Sequence, residues 1–209
     1  IRTLLEEKSE TYIDIHDNIR FLADGKRFIW SSELGGFNHL YLYGMDGKKI
    51  SALSSGNFDI TEFYGINEKS GTLYFQAAAP TPMDRSLFTV KLTGKGQKNL
   101  LPVNGHQNPE FSSNFSYFVL NQSSANAPAD YSLYSGEGKL IRSLETNTIL
   151  REKLATYRLS KKEFFSFTTS TGNALNGWMI KPSNFDASKK YPVFMTVYGG
   201  PGHNTVENQ

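Results

Sequence analysis

Asp24-Gly25-Lys26-Arg27-Phe28-Ile29-Trp30 opens a unit that the chain then repeats twice. Phe28, Leu73 and Phe118 stand at equal intervals, and Trp30, Phe75 and Leu120 keep the same step. A period of about 45 residues is the length of a four-stranded propeller blade. Each of these positions follows a turn: Asp24-Gly25, Ser70-Gly71 and Ser112-Ser113-Asn114. Further along each copy come Leu40-Tyr41, Leu87-Phe88 and Leu133-Tyr134, followed by glycine turns at Asp46-Gly47-Lys48, Thr93-Gly94-Lys95 and Glu137-Gly138-Lys139. The unit therefore reads strand, turn, strand, longer loop, strand, glycine turn, strand, with the period-2 alternation of a sheet. A plain antiparallel meander would carry similar hairpins, but not the constant step.

The longer loop differs most between copies. It holds Leu34-Gly35-Gly36-Phe37 in the first, Ala77 to Pro82 in the second and Ser123 to Pro128 in the third. Loops of this kind lie on one face of a propeller. The repeat ends near Asn147. Ile149, Leu150 and Leu154 at helical spacing, behind Thr146 or Asn147 as N-cap, predict a short linker helix. Two strands then flank the Thr171-Gly172-Asn173 turn. Tyr191-Pro192-Val193-Phe194-Met195-Thr196-Val197-Tyr198 is a nearly continuous apolar run, the pattern of a strand buried on both faces in a mostly parallel α/β sheet. Residues 1–147 are thus expected to form a partial β-propeller of about three blades, and residues 148–209 the start of a second domain.

Composition narrows the function classes. Of 209 residues 38% are hydrophobic and 13% aromatic, enough for a real core and biased toward strand. Twenty-two basic against 20 acidic residues leave a net charge of +2, so no single-sign field points to nucleic acid. With no cysteine there is no disulfide, no Cys-bearing zinc site and no thiol nucleophile. No apolar run approaches the roughly 20 residues that span a bilayer. The start at Ile1 lacks both Met and a signal-peptide pattern, as expected of an excised segment.

A propeller followed by a helix, a hairpin and an apolar strand that ends in Tyr198-Gly199-Gly200-Pro201-Gly202 resembles the dipeptidyl peptidase IV family, serine peptidases of the prolyl oligopeptidase superfamily. Ser188-Lys189-Lys190-Tyr191-Pro192-Val193 and Val197-Tyr198-Gly199-Gly200-Pro201 carry the likeness. It implies a mainly β fold, the last blades of a β-propeller followed by the first strands of an α/β-hydrolase domain. It also implies release of N-terminal dipeptides after a penultimate proline. By resemblance, Tyr198 is the one catalytic residue: its phenolic hydroxyl would donate to the oxyanion that develops on the attacked carbonyl. Other substrate-binding residues stay unassigned, and no cofactor or metal is implied. The family's paired glutamates lie upstream, and Glu6, Glu7 and Glu33 take no role from them.

No Gly-x-Ser-x-Gly elbow occurs in the chain, so the chain alone is expected to be inactive. The resemblance further implies a peptide substrate, a homodimeric longer protein, and a periplasmic, secreted or cell-envelope location. Prolyl tripeptidyl and acylaminoacyl peptidases share the architecture; Tyr198 rather than His before Gly-Gly speaks against the second. A non-catalytic propeller scaffold is the alternative from another class. Asp14, His16 and Asp17 do not share one strand face, so a metal is not expected there. His39 and His106 have no obvious partners and are expected on loops or blade surfaces, and His203 on the surface beside the glycine loop. Incomplete closure of the propeller predicts self-association.

Overall fold

The computed structural model of the chain describes residues 2–200 and 202–209. Three four-stranded antiparallel sheets follow one another, each with its strands in sequential order. The first comprises β1 (Ile19–Phe21), β2 (Arg27–Ser32), β3 (His39–Gly44) and β4 (Lys49–Ala52). The second comprises β5 (Ile60–Asn67), β6 (Thr72–Ala77), β7 (Ser86–Lys91) and β8 (Lys98–Asn99). The third comprises β9 (His106–Phe111), β10 (Tyr117–Ser124), β11 (Ala127–Ser135) and β12 (Leu140–Glu145). Equivalent register pairs Phe28 with Tyr43, Leu73 with Val90 and Phe118 with Tyr134. The repeat read from sequence is thus the blade.

Burial follows from the pleat. On β6, Leu73 and Phe75 point toward the first blade, into a core with Ile29, Leu40, Leu42, Leu53, Ile60 and Val90. Tyr74, on the opposite face, meets Phe111 and Phe115 of the third blade, with ring centroids 4.9 and 5.3 Å away. Its hydroxyl donates to the Gly136 carbonyl at 3.0 Å. A second inter-blade core joins Leu87 to Phe118 and Leu120, with Tyr64, Phe111 and Tyr134 against it. The middle strand of an inner blade is therefore buried on both faces, and its apolar residues run on instead of alternating with polar ones.

Phe115 is the wedge between the second and third blades. It adopts a left-handed φ of 56°, closing the Ser112-Ser113-Asn114 turn with its N–H on the Ser112 carbonyl at 2.9 Å. That turn aims its ring at Gly65, where a Cβ would lie 2.7 Å from the ring's Cζ. Gly65, at φ 133°, is required there on both counts.

Two expectations change here. The third blade's longer loop shrinks to the turn Ala125-Asn126, because Ser123-Ser124 and Ala127-Pro128 are taken into β10 and β11, with a bulge before the Ser124–Ala127 pair. The linker helix α1 (Thr148–Ala155) forms, but none of its residues is buried and Ile149 is 83% exposed. Its N-cap Asn147 sits at φ 51° and makes no side-chain cap; the amide donates instead to the Ala129 carbonyl at 2.6 Å. Arg151 holds the helix to β11 through Asp130 and the Pro128 carbonyl, both at 2.7 Å.

The predicted hairpin is present as β13 (Lys162–Thr168) and β14 (Ala174–Ile180). The apolar run at 191–198 is a correction: it pairs with no strand among the described residues, and Phe194 is 92% exposed. A parallel-sheet strand exists only when neighbours accept its backbone hydrogen bonds, and sequence pattern alone cannot supply them.

Phe75→Ala should cost about 3–5 kcal/mol, because it opens a cavity in the core between two blades. Ile149→Ala should stay within about 0.5 kcal/mol. Denaturant unfolding of the 209-residue chain at one protein concentration compares them.

Candidate functional site

The site grows from the loop between β6 and β7. This loop ends in Met83-Asp84-Arg85, and the two charged side chains are buried. A parallel bridge joins Arg85 to His106 of the third blade: the Arg85 N–H donates to the Gly105 carbonyl at 2.9 Å, and the Gln107 N–H to the Arg85 carbonyl at 2.8 Å. Gln107, fully buried, accepts the Leu87 N–H at 2.7 Å and donates to the Leu101 carbonyl at 2.7 Å. The two blades are thus sewn together beneath the loop.

The Asp84 carboxylate accepts from Thr81 Oγ1 at 2.6 Å, from the Gly105 N–H at 2.9 Å and from Asn208 Nδ2 at 2.9 Å. The Arg85 guanidinium donates to the carbonyls of Pro82 and Asp84, each at 2.9 Å, and pairs with the Glu207 carboxylate. Buried charge is tolerated because each group has several partners. His106 Nδ1 lies 3.9 Å from Glu207 and has no hydrogen-bond partner among the described residues. Burial holds this imidazole below its ordinary pKa; Glu207 opposes the shift and Arg85 adds to it.

The chain's last residues complete the cluster. Asn208 donates its N–H to the Met83 carbonyl at 2.8 Å and accepts the Ala125 N–H at 3.1 Å, so it bridges the second and third blades. Asn204 donates to the Pro82 carbonyl at 2.8 Å. Nearby, Asn126 and Lys162 exchange two hydrogen bonds of 2.9 Å, which fasten the start of the β13–β14 hairpin to the third blade. A cleft of about 430 Å³ lies between hairpin and tail, lined by Lys162, Trp178, Asn204, Thr205, Glu207 and Gln209.

Tyr198 stands six residues before Asn204, 62% exposed and outside that cleft. Its ring meets His203 edge-on, with centroids 4.7 Å apart. The ring also folds over Gly200, where a Cβ would fall 2.6 Å from Cε1 and 2.7 Å from the hydroxyl. Gly200 is needed for this arrangement, whereas a Cβ at Gly199 would meet nothing. Pro201 of the loop lies outside the described residues. His203 is exposed, as expected.

His39 and His106 depart from expectation. His39 is buried, its ring bonded to Ser54 Oγ at 3.1 Å and to the Gly56 carbonyl at 3.0 Å, so it ties together the backbone after β4. His106 is half-buried beside Glu207. Their partners lie on other turns and blades, beyond what local sequence displays. His16 tilts against Trp30 at 4.5 Å, and no group of three metal-ligating side chains occurs among the described residues. Asp84, Arg85, Glu207 and Asn208 escaped the sequence reading. Their only signal there is a charged pair set directly before the apolar strand Ser86-Leu87-Phe88.

Sequential four-stranded blades, packed face to face and followed by a helix and a hairpin, define a propeller module. The model of the dipeptidyl peptidase IV N-terminal region matches residues 1–129. Dipeptidyl peptidase 4 of Arthroderma otae is 35% identical over 191 residues, covering 88% of this chain and 24% of the relative. The Trichophyton rubrum dipeptidyl peptidase 4 is 33% identical over 191 residues, with the same coverage of 88% and 24%. The crystal structure of Porphyromonas gingivalis dipeptidyl peptidase 4 superposes with a TM-score of 0.89 at 36% identity, covering 98% of this chain and 29% of that one. The chain belongs to the dipeptidyl peptidase IV family and spans about a quarter of the length of the curated relatives it matches.

The depressed pKa of His106 has a definite sign. The folded state keeps the ring neutral, so its contribution to stability is intact above the ordinary imidazole value of about 6.5 and is lost as pH falls from there toward the lower folded value. The melting temperature should therefore drop between pH 7 and pH 5 by less in His106→Gln than in the unchanged chain, as thermal unfolding at about those two pH values would record.

Proposed function

We propose that the chain is the propeller-to-hydrolase junction of a serine exopeptidase that releases N-terminal dipeptides after a penultimate proline. The observation that carries this reading is the bare apolar run before the glycine loop, in which Val193, Phe194, Met195 and Val197 are all strongly exposed. Consecutive side chains of this kind belong inside a sheet, and a hydrolase sheet built on the same polypeptide would cover them. Tyr198 would then stand at the end of a buried strand, where α/β-hydrolases collect donors for the oxyanion. The relatives' names supply the dipeptide product.

In this reading a serine contributed from outside the chain attacks the carbonyl carbon of the penultimate proline, and the C–N bond to the next residue breaks as that residue's amine leaves with a proton. Negative charge builds on the carbonyl oxygen as the tetrahedral intermediate forms, and the Tyr198 hydroxyl donates a hydrogen bond to it. A donor prepositioned for charge that appears only in the transition state raises kcat more than it tightens substrate binding. Gly200 leaves room for the Tyr198 ring to adjust. The substrate is a peptide with a penultimate proline, and the full-length protein works as a homodimer, outside the cytoplasm in the cell envelope or beyond.

Release of p-nitroaniline from glycyl-prolyl-p-nitroanilide by the full-length protein tests the reading. Tyr198→Phe should lower kcat about 100- to 1,000-fold with a small change in KM. The 209-residue chain alone should release nothing. Turnover by the short chain, or an unaltered kcat in the Tyr198→Phe protein, would remove the role assigned here.

The same reading makes the isolated chain self-associate. Tyr117, Leu140 and Leu144 of the third blade are exposed, as is the uncovered run at 193–197. Light scattering should report species larger than the 23.5 kDa monomer, with the proportion rising with concentration. A monomer at all concentrations would contradict this.

A further inference from the structure

We infer that Asp84, Arg85, Glu207 and Asn208 form a latch between propeller and tail that positions the Tyr198 loop, making these four positioning residues for the reaction; this rests on the role proposed for Tyr198. Asn208 is gripped at three points: by the Met83 carbonyl, by Asp84 and by the Ala125 N–H. These belong to two different blades, which the Arg85–His106 bridge already holds together. Glu207 is fixed by a buried guanidinium that cannot swing away, since its other nitrogen is occupied by two carbonyls. The tail therefore docks on a rigid platform, not on a mobile loop.

The reach is short. Between Tyr198 and Asn204, the first anchored residue, the chain has five residues, two of them the glycines that follow the tyrosine. Gly199 and Gly200 carry no Cβ, so the backbone beside Tyr198 has wide conformational freedom. The run before Tyr198 pairs with no strand among the described residues, so the latch decides where the loop lies relative to the propeller. The buried polar partners suit that purpose. Loss of the grip takes the carboxylate partner from the buried Arg85 charge and one of three donors from Asp84, which favours the docked state.

Latch and scaffold are separated in the full-length protein by two readouts, amide hydrogen exchange over 202–208 and the split between kcat and KM. Asn208→Ala and Glu207→Ala should each speed exchange across the tail and lower kcat about tenfold while KM stays within about twofold, as expected for misplacement of a group that acts in the transition state. Glu207→Gln, which still offers Arg85 an acceptor, should recover most of the lost kcat. Phe118→Leu, a change in the inter-blade core, should lower the melting temperature without altering either readout. The latch is overturned if Asn208→Ala and Glu207→Ala leave tail exchange unchanged, or if exchange quickens while kcat holds. Should the unsubstituted protein release no dipeptide, the role proposed for Tyr198 fails instead, and exchange alone decides whether the latch exists.

Discussion

The constraint on which everything else rests is that β6 must be covered on both faces. Leu73 and Phe75 enter one inter-blade core while Tyr74, between them, enters the packing against the third blade. No blade can satisfy this alone, because a lone sheet leaves both faces to water and one neighbour covers only one of them. Stability is consequently a property of adjacent pairs, as in other repeat architectures. Apolar burial of this size contributes far more than any single surface ion pair, such as Lys48 with Asp46 at 3.7 Å.

Face-to-face stacking also determines where polar chemistry collects. Strand ends of successive blades come out on a common rim, so the loop before β7 and the turn between β10 and β11 are brought side by side. Their backbones have hydrogen-bonding groups that the ladders do not use, and the tail takes them up: the Pro82 and Met83 carbonyls and the Ala125 N–H all bond to residues between Asn204 and Asn208. Arg85 and Asp84 add charge at the same place. Burying them without partners would be strongly unfavourable, and tail and platform remove that penalty together.

Some of this was legible in the residues. The step from Phe28 to Leu73 to Phe118 contained the blades, and the Thr171-Gly172-Asn173 turn contained the hairpin, since both depend on local alternation and turn chemistry. Tyr198 and its glycines were legible as a motif. The four latch residues were not, because Asp84 and Asn208 stand 124 positions apart and nothing in either neighbourhood distinguishes a buried aspartate from a solvated one. His39 misled for the same reason: its partners Ser54 and Gly56 come to it only after β3 and β4 have paired.

What the sequence determined by itself, then, was the architecture: the glycine turns and the blade period follow from side-chain alternation and glycine placement, which are local. Only the tertiary structure decided which faces are closed, that the 191–198 run stands unpaired, and that a buried Asp–Arg pair waits at the rim for the tail. These depend on which surfaces meet, and the free energy of a buried charge or an apolar strand is set by its neighbours in space rather than by its neighbours in the chain.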